Sequence, residues 1–275
     1  MPNPETLSPK LVDLKADLVA RIPKRSQIAQ ADLESKSLSE VIIRYLSWQA
    51  RLIRPRPREI VIWPEVEASN HHEAYADEIA NIAEGFRTGD DMNPYLSTQV
   101  RTHAYAADLP PPTTQLTNEE WVKRSWRGKD RMRVTVDAHH LHLGGRQADG
   151  TVARSGPLLF AGITPERAFF LTIGDHTSFD DGAVSGIMHD RLDAFLASQG
   201  GGVMLGGPMV TLGGTQVQDV LRADRIMMTL RKLDETLTNH ADPDVNACVI
   251  RIDWDDIVAR NETSEHEVTR MRGQL

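Results

Sequence analysis

The chain has 275 residues, 40% of them hydrophobic and 25% charged, enough apolar material for one large or two modest cores without cross-links. Its single cysteine, Cys248, lies in the apolar run VNACVIRI, which excludes an intramolecular disulfide and reads as a buried core thiol away from an oxidising compartment. A net charge of −8 excludes a general nucleic-acid coat, and no apolar run approaches the ~20 residues of a membrane helix.

The opening MPNPETLSPK lacks the basic-then-apolar pattern of a secretory signal, so the expected location is cytoplasmic. Leu11, Leu14, Leu18 and Ile22 recur at helical spacing. Ser37 to Leu52 predicts a stronger helix, opened by a capping box of Ser37 and Glu40. Pro55 and Pro57 in RPRPREIVIWP then hold the backbone extended, and Glu59 to Trp63 predicts a short strand. Asn70 to Phe86 predicts an amphipathic helix that exits through GFRTGDD, with His71 and His72 read as solvated at its start. A short helix is expected over Pro94 to Val100. The region 1–107 is therefore expected to be mainly helical.

DLPPPTTQ, Asp108 to Gln115, reads as a stiff linker. After it, 116–275 is expected to form an α+β domain with a small central, mainly antiparallel sheet flanked by helices. Thr117 and Glu120 make a second capping box. Between Lys123 and Arg133 stand six basic residues and one acid, Asp130. Lys123, Arg124, Trp126, Arg127, Lys129 and Arg131 in this stretch are candidates to hold phosphates and stack a base. Strands are expected over Arg131 to Leu143, Leu158 to Ile163 and Ala168 to Ile173, the last two joined by the turn Thr164-Pro165-Glu166-Arg167. Val184 to Ala197 predicts a helix. Gly200 to Gly214 lacks the Gly-Lys-Ser/Thr ending of a phosphate loop and reads as a flexible connection. Thr215 is the expected N-cap of the longest helix, which runs to His240 and places Met227 and Met228 in the core. Val245 to Trp254 predicts a buried strand, and the charged tail after Asn261 a frayed or helical surface segment.

The stretch VTVDAHHLHL, opening at Val134, carries three of the ten histidines within four positions. Strand alternation puts Val134, Val136, Ala138, His140 and His142 on one face and sets His139 on the other. Three neighbouring imidazoles are costly to bury unpaired, which favours a joint role. In one reading His140 and His142 exchange protons with a phosphodiester, because imidazole titrates near neutral pH. Arg154 would steady the charged phosphorane with its bidentate fork, and His176 would be the second proton-transfer group. In the other reading His140 and His142 bind Zn²⁺ with His176 or Asp175 as third ligand, leaving an open position for hydrolysis. The metal-free reading is preferred, because Arg154 and the basic run add parts that a metal would not require.

The order Lys129-Asp130, His139 to Gly144 (HHLHLG), Arg154 to Ala161, then Asp175-His176 resembles an uncharacterised family of bacterial accessory-genome proteins. Arg54-Pro55-Arg56-Pro57-Arg58, Gly89-Asp90 and Pro94-x-Leu96-Ser97 resemble the same group, so the likeness spans about residues 40 to 180. Accessory genes of this layout imply a defence or toxin role. In residue types alone, the histidine and arginine set is similar to toxin endoribonucleases of the barnase, EndoU and RelE type. The expected function is a metal-independent endoribonuclease, a toxin or antiphage effector, with RNA as substrate and an antitoxin-like protein as partner. A Zn-dependent hydrolase and a non-catalytic interaction protein are the alternatives.

Overall fold

The computed structural model describes residues 7–107, 115, 117, 120, 133, 137–179, 182, 184–188, 190–191, 216–254, 256–261 and 266–271. The fold is α+β with a helical N-terminus. The described residues fall into two compact units. One draws from 1–49, 104–115 and 215–275, the other from 50–103 and 116–214. No helix among the described residues is long and apolar enough to cross a membrane.

The first unit packs helices α1 (Pro9–Arg21), α2 (Gln27–Ser35) and α3 (Leu38–Gln49) with the long helix α7 (Val217–Thr238). The short α8 (Pro243–Asn246) follows, then a three-stranded antiparallel sheet ordered β5 (Val249–Asp253), β6 (Asp256–Asn261), β7 (His266–Met271). Leu14, Leu18, Ile42, Tyr45, Leu230 and Ile250 share one apolar core. Ser8 and Ser26 cap α1 and α2 by accepting from Leu11 N and Ala29 N. The Ser37–Glu40 box forms in full, since Glu40 accepts from the Ser37 N–H and hydroxyl at 2.9 and 2.7 Å.

The structure corrects several local expectations. The N-cap position of α7 is Gln216, one residue after Thr215, and Thr215 itself lies outside the described residues. Met227 is buried but Met228 is exposed, because neighbouring helical residues point about 100° apart. The tail after Asn261 includes a strand, β7, which completes the sheet that β5 and β6 begin. In the second unit a strand is expected from Arg131; the described strand is Ala138–His142, and residues 131–132 and 134–136 lie outside the described residues. Arg133 is helical, and Asp137 turns the chain with a left-handed φ of 58° while pairing with Arg133.

The second unit is built on a four-stranded sheet ordered β1-β4-β3-β2: Glu59–Ile62, Arg167–Gly174, Leu158–Ile163, Ala138–His142. β1 runs parallel to β4; the other pairs are antiparallel. The Thr164-to-Arg167 turn closes β3 onto β4, with Thr164 N donating to the Arg167 carbonyl at 2.8 Å. Among the described residues, helices of this unit include α4 (Pro64–Glu67), α5 (Ala76–Thr88) and α6 (Thr98–Thr102); residues 184–188 are also helical. α5 starts six residues later than its pattern suggested, behind a 3-10 turn at Glu73–Tyr75, and His71 and His72 are half-buried in the turns before it. The short helix expected over Pro94 to Val100 is instead a 3-10 turn at Asn93–Tyr95 followed by α6, which Ser97 caps.

The arginine-proline stretch is fixed by this unit's own core. Gly89 ends α5 at φ 85°, and a Cβ there would meet Pro57 N at 2.7 Å, so only glycine lets the stretch pass. Arg58 is buried, donates to the Thr164 carbonyl at 2.8 Å and lies over the Phe86 ring. Ile53, Ile79, Ile82, Phe86, Leu159 and Phe170 form the larger apolar cluster of the unit.

His139 shares its strand face with Leu141, which belongs to that cluster. Its ring is only 6% exposed, and neither ring nitrogen reaches a partner at hydrogen-bond geometry. Burial first, then the Arg133, His140 and Arg58 charges, hold it well below the ordinary imidazole value; a loose backbone interaction with Ala50 opposes them. A histidine with a depressed folded pKa stabilises the fold above its unfolded value of 6.5 and withdraws that stability as pH falls toward the folded value. His139→Leu is therefore predicted to flatten the acid limb of the denaturation profile. The wild type should lose about 1.4 kcal/mol more than the variant for each pH unit below the unfolded value. Parallel acid limbs for the two proteins would contradict this.

Candidate functional site

The site is assembled by three short pieces of the second unit. The first is β2. Its pairing with β3 sets His140 opposite Phe160 and His142 opposite Leu158. Ala138, Leu158, Phe160, Leu171 and Val184 form a small apolar cluster, so His140 and His142 rise from the face that this cluster floors. His142 is only 3% exposed; His140 is half-buried.

The second piece is the connection from β2 to β3. It doubles back on itself: Ala153 N donates to the Gly145 carbonyl at 3.1 Å, and Gln147 N to the Thr151 carbonyl at 2.8 Å. A Cβ on Gly144 would lie 2.0 Å from the Ala153 oxygen, so this approach requires glycine. Ser155 locks the return. Its hydroxyl accepts from Leu143 N at 2.8 Å and donates to the Pro157 carbonyl at 2.6 Å. Arg154 is exposed and next to this clamp, and its charge disfavours protonation of His142.

The third piece is the turn after β4. Gly174 pairs with Leu158, which pairs with His142, so the three stand in one row across the sheet. The chain then folds back over the row as a 3-10 turn, His176–Phe179. Asp175 shapes it by accepting from Thr177 N and Thr177 Oγ1 at 2.7 and 2.6 Å, and those bonds hold its carboxyl below the usual range. The Ser178 hydroxyl sits directly over Gly174. The exposed His176 ring is thus delivered to 6.3 Å, centre to centre, from His142.

The electrostatics follow from this convergence. Burial lowers the His142 pKa to about 4, helped by His140, Arg154 and His176 in that order; a loose interaction with Ser155 opposes them. Among the described residues, the side chains whose charges act on His142 are bases. At neutral pH His142 is therefore an uncharged imidazole, and the positive charges that act on it would favour an anion beside it.

Of the expected site residues, His140, Arg154 and His176 come together around His142. Lys123, Arg124, Trp126, Arg127, Lys129 and Arg131 lie outside the described residues. Among the described residues, no group of three or more His, Cys, Asp or Glu is arranged to hold a metal ion. Two imidazoles on one tetrahedral zinc stand about 5 Å apart at their centres, less than the 6.3 Å between His142 and His176. Sequence reasoning missed the positioning residues Ser155, Gly174 and Ser178. Their only local signals were a glycine at a strand end and the small polar residues after it.

Compared with known proteins, the chain matches no family model, no curated protein and no solved structure.

Gly174→Ala tests the third piece. Its Cβ would fall 2.5 Å from Ser178 Oγ and 3.2 Å from Phe160 Cε2, so the turn must lift. The variant is predicted to stay folded at a cost of about 1–3 kcal/mol and to lose the nuclear Overhauser contact between the His142 and His176 rings. Persistence of that contact would show that the turn does not depend on Gly174.

Proposed function

We propose that the protein is a metal-independent endoribonuclease. The observation that carries this reading is the convergence of two imidazoles, His140 and His176, and the Arg154 guanidinium on a nearly buried, neutral His142. In the proposed reaction His142 takes the proton from a ribose 2′-hydroxyl. The 2′ oxygen then bonds to phosphorus, and the bond from phosphorus to the 5′ oxygen breaks. His176, on the rim, delivers a proton to the departing 5′ oxygen. The products are a 2′,3′-cyclic phosphate and a 5′-hydroxyl end. Arg154 and His140 stand beside the phosphorane, where a cation or N–H donor lowers the barrier most. The anionic linkage also counters the bases around His142 and raises its affinity for the proton it must accept. An enzyme of this kind would harm the cell that makes it, in keeping with a toxin or antiphage effector held by a protein antitoxin.

Incubation of the purified protein with total RNA, with and without EDTA, tests the proposal. Cleavage is expected in both conditions. His142→Ala should reduce it about 10²–10⁴-fold, and Arg154→Ala about 10²–10³-fold. RNA left equally intact by wild type and His142→Ala would refute the proposal, as would complete loss of cleavage in EDTA.

A further inference from the structure

We infer that the substrate is single-stranded RNA, or a strand locally released from pairing, and that a continuous duplex is excluded. The inference rests on the ribonuclease reading and adds the shape of the substrate to it.

Depth is the first ground. His142 is 3% exposed, whereas Arg154 and His176, whose charges act on it, are exposed. The reacting linkage must therefore descend past exposed side chains to reach the imidazole. The floor offers no other route, because Leu158 and Phe160, paired to His142 and His140, are fully buried. Hydrogen bonds of serine side chains and of the backbone fix the segments that carry Arg154 and His176. Ser155 ties Leu143 to Pro157 on the Arg154 side. On the His176 side, the Ser178 N–H donates to the Asp175 carbonyl at 3.2 Å, while its hydroxyl rests over Gly174. An A-form duplex meets a protein with a broad, shallow minor groove and a convex backbone, and cannot lower one linkage below such a rim. An unpaired strand can splay its bases apart and insert a single linkage.

Reaction geometry is the second ground. Attack by the 2′-hydroxyl requires that oxygen, the phosphorus and the 5′ oxygen to come into line. Base stacking in a duplex holds the ribose and phosphate away from that arrangement, so the linkage must rotate out of the helix first. Forcing that rotation within a paired duplex costs enough to slow the reaction about a hundred-fold or more.

The test uses the full chain and one short fluorescein-labelled RNA in four forms: single-stranded, annealed to its full complement, annealed so that a few central nucleotides bulge out, and rebuilt entirely as DNA. The expected result is cleavage of the free strand, cleavage of the duplex only at its bulge, at least about a hundred-fold slower cutting of the continuous duplex, and an intact DNA strand. Comparable rates on the free strand and the continuous duplex would overturn the inference while leaving the ribonuclease reading in place. Equal cleavage of the DNA would overturn the role of the 2′-hydroxyl. No cleavage in any form would overturn the ribonuclease reading and the inference with it.

Discussion

Residue-by-residue pairing of β2 with β3 is the constraint on which the candidate site depends. It runs from Ala138 opposite Gly162 to His142 opposite Leu158 without a break. Because side chains alternate along a strand, this register sends His140 and His142 to one face and His139 to the other. A slip by one residue would bury His140 and His142 in the larger cluster and bring His139 to the site. The register is held from both sides of the sheet. Leu141 fits the cluster with Leu159 and Phe170, and Ala138 fits the cluster with Phe160 and Leu171. An irregularity between β3 and β4 at Phe160/Ala161 lets Leu171 join the site-side cluster while Phe170 and Ile173 stay in the other.

The same strand places imidazoles in two unlike environments. Both His139 and His142 are nearly buried, and both have their protonation disfavoured by burial first and by neighbouring cations second. They differ in what lies beside them. His139 faces the unit's own core, where its depressed basicity makes it a liability in acid. His142 stands beside two exposed bases, Arg154 and His176, whose charges act on it. The physics that makes one histidine a stability cost leaves the other neutral, as the proposed reaction requires of its proton acceptor.

Much of the fold was legible because its signals are local. The Ser37–Glu40 and Thr117–Glu120 boxes need only three residues of spacing, and both form. β3 and β4 were readable from two apolar runs around a Thr-Pro-Glu-Arg turn. The convergence of His140, His142, Arg154 and His176 was expected from strand alternation and the adjacency of two blocks. Other features depended on distant residues. The strand from Arg131 looked continuous, yet Asp137 turns left-handed and pairs with Arg133. Nothing local announced that α7 and β5 would share a core with α1 and α3, since their partners lie roughly two hundred residues away in the chain. The clamps by Ser155 and Ser178 act on backbone brought near only by the folded sheet, so their hydroxyls carry no pattern of their own.

The central claim is that these groups form one anion site around a neutral His142. It is tested most directly by following the His142 ring by NMR across a pH titration, with and without saturating inorganic phosphate. The account predicts a midpoint near the depressed value of about 4 in the free protein. Phosphate should move that midpoint upward, because an anion beside the ring favours its protonated form; in Arg154→Ala the upward move should be much smaller. A His142 midpoint that phosphate leaves unchanged would contradict the account.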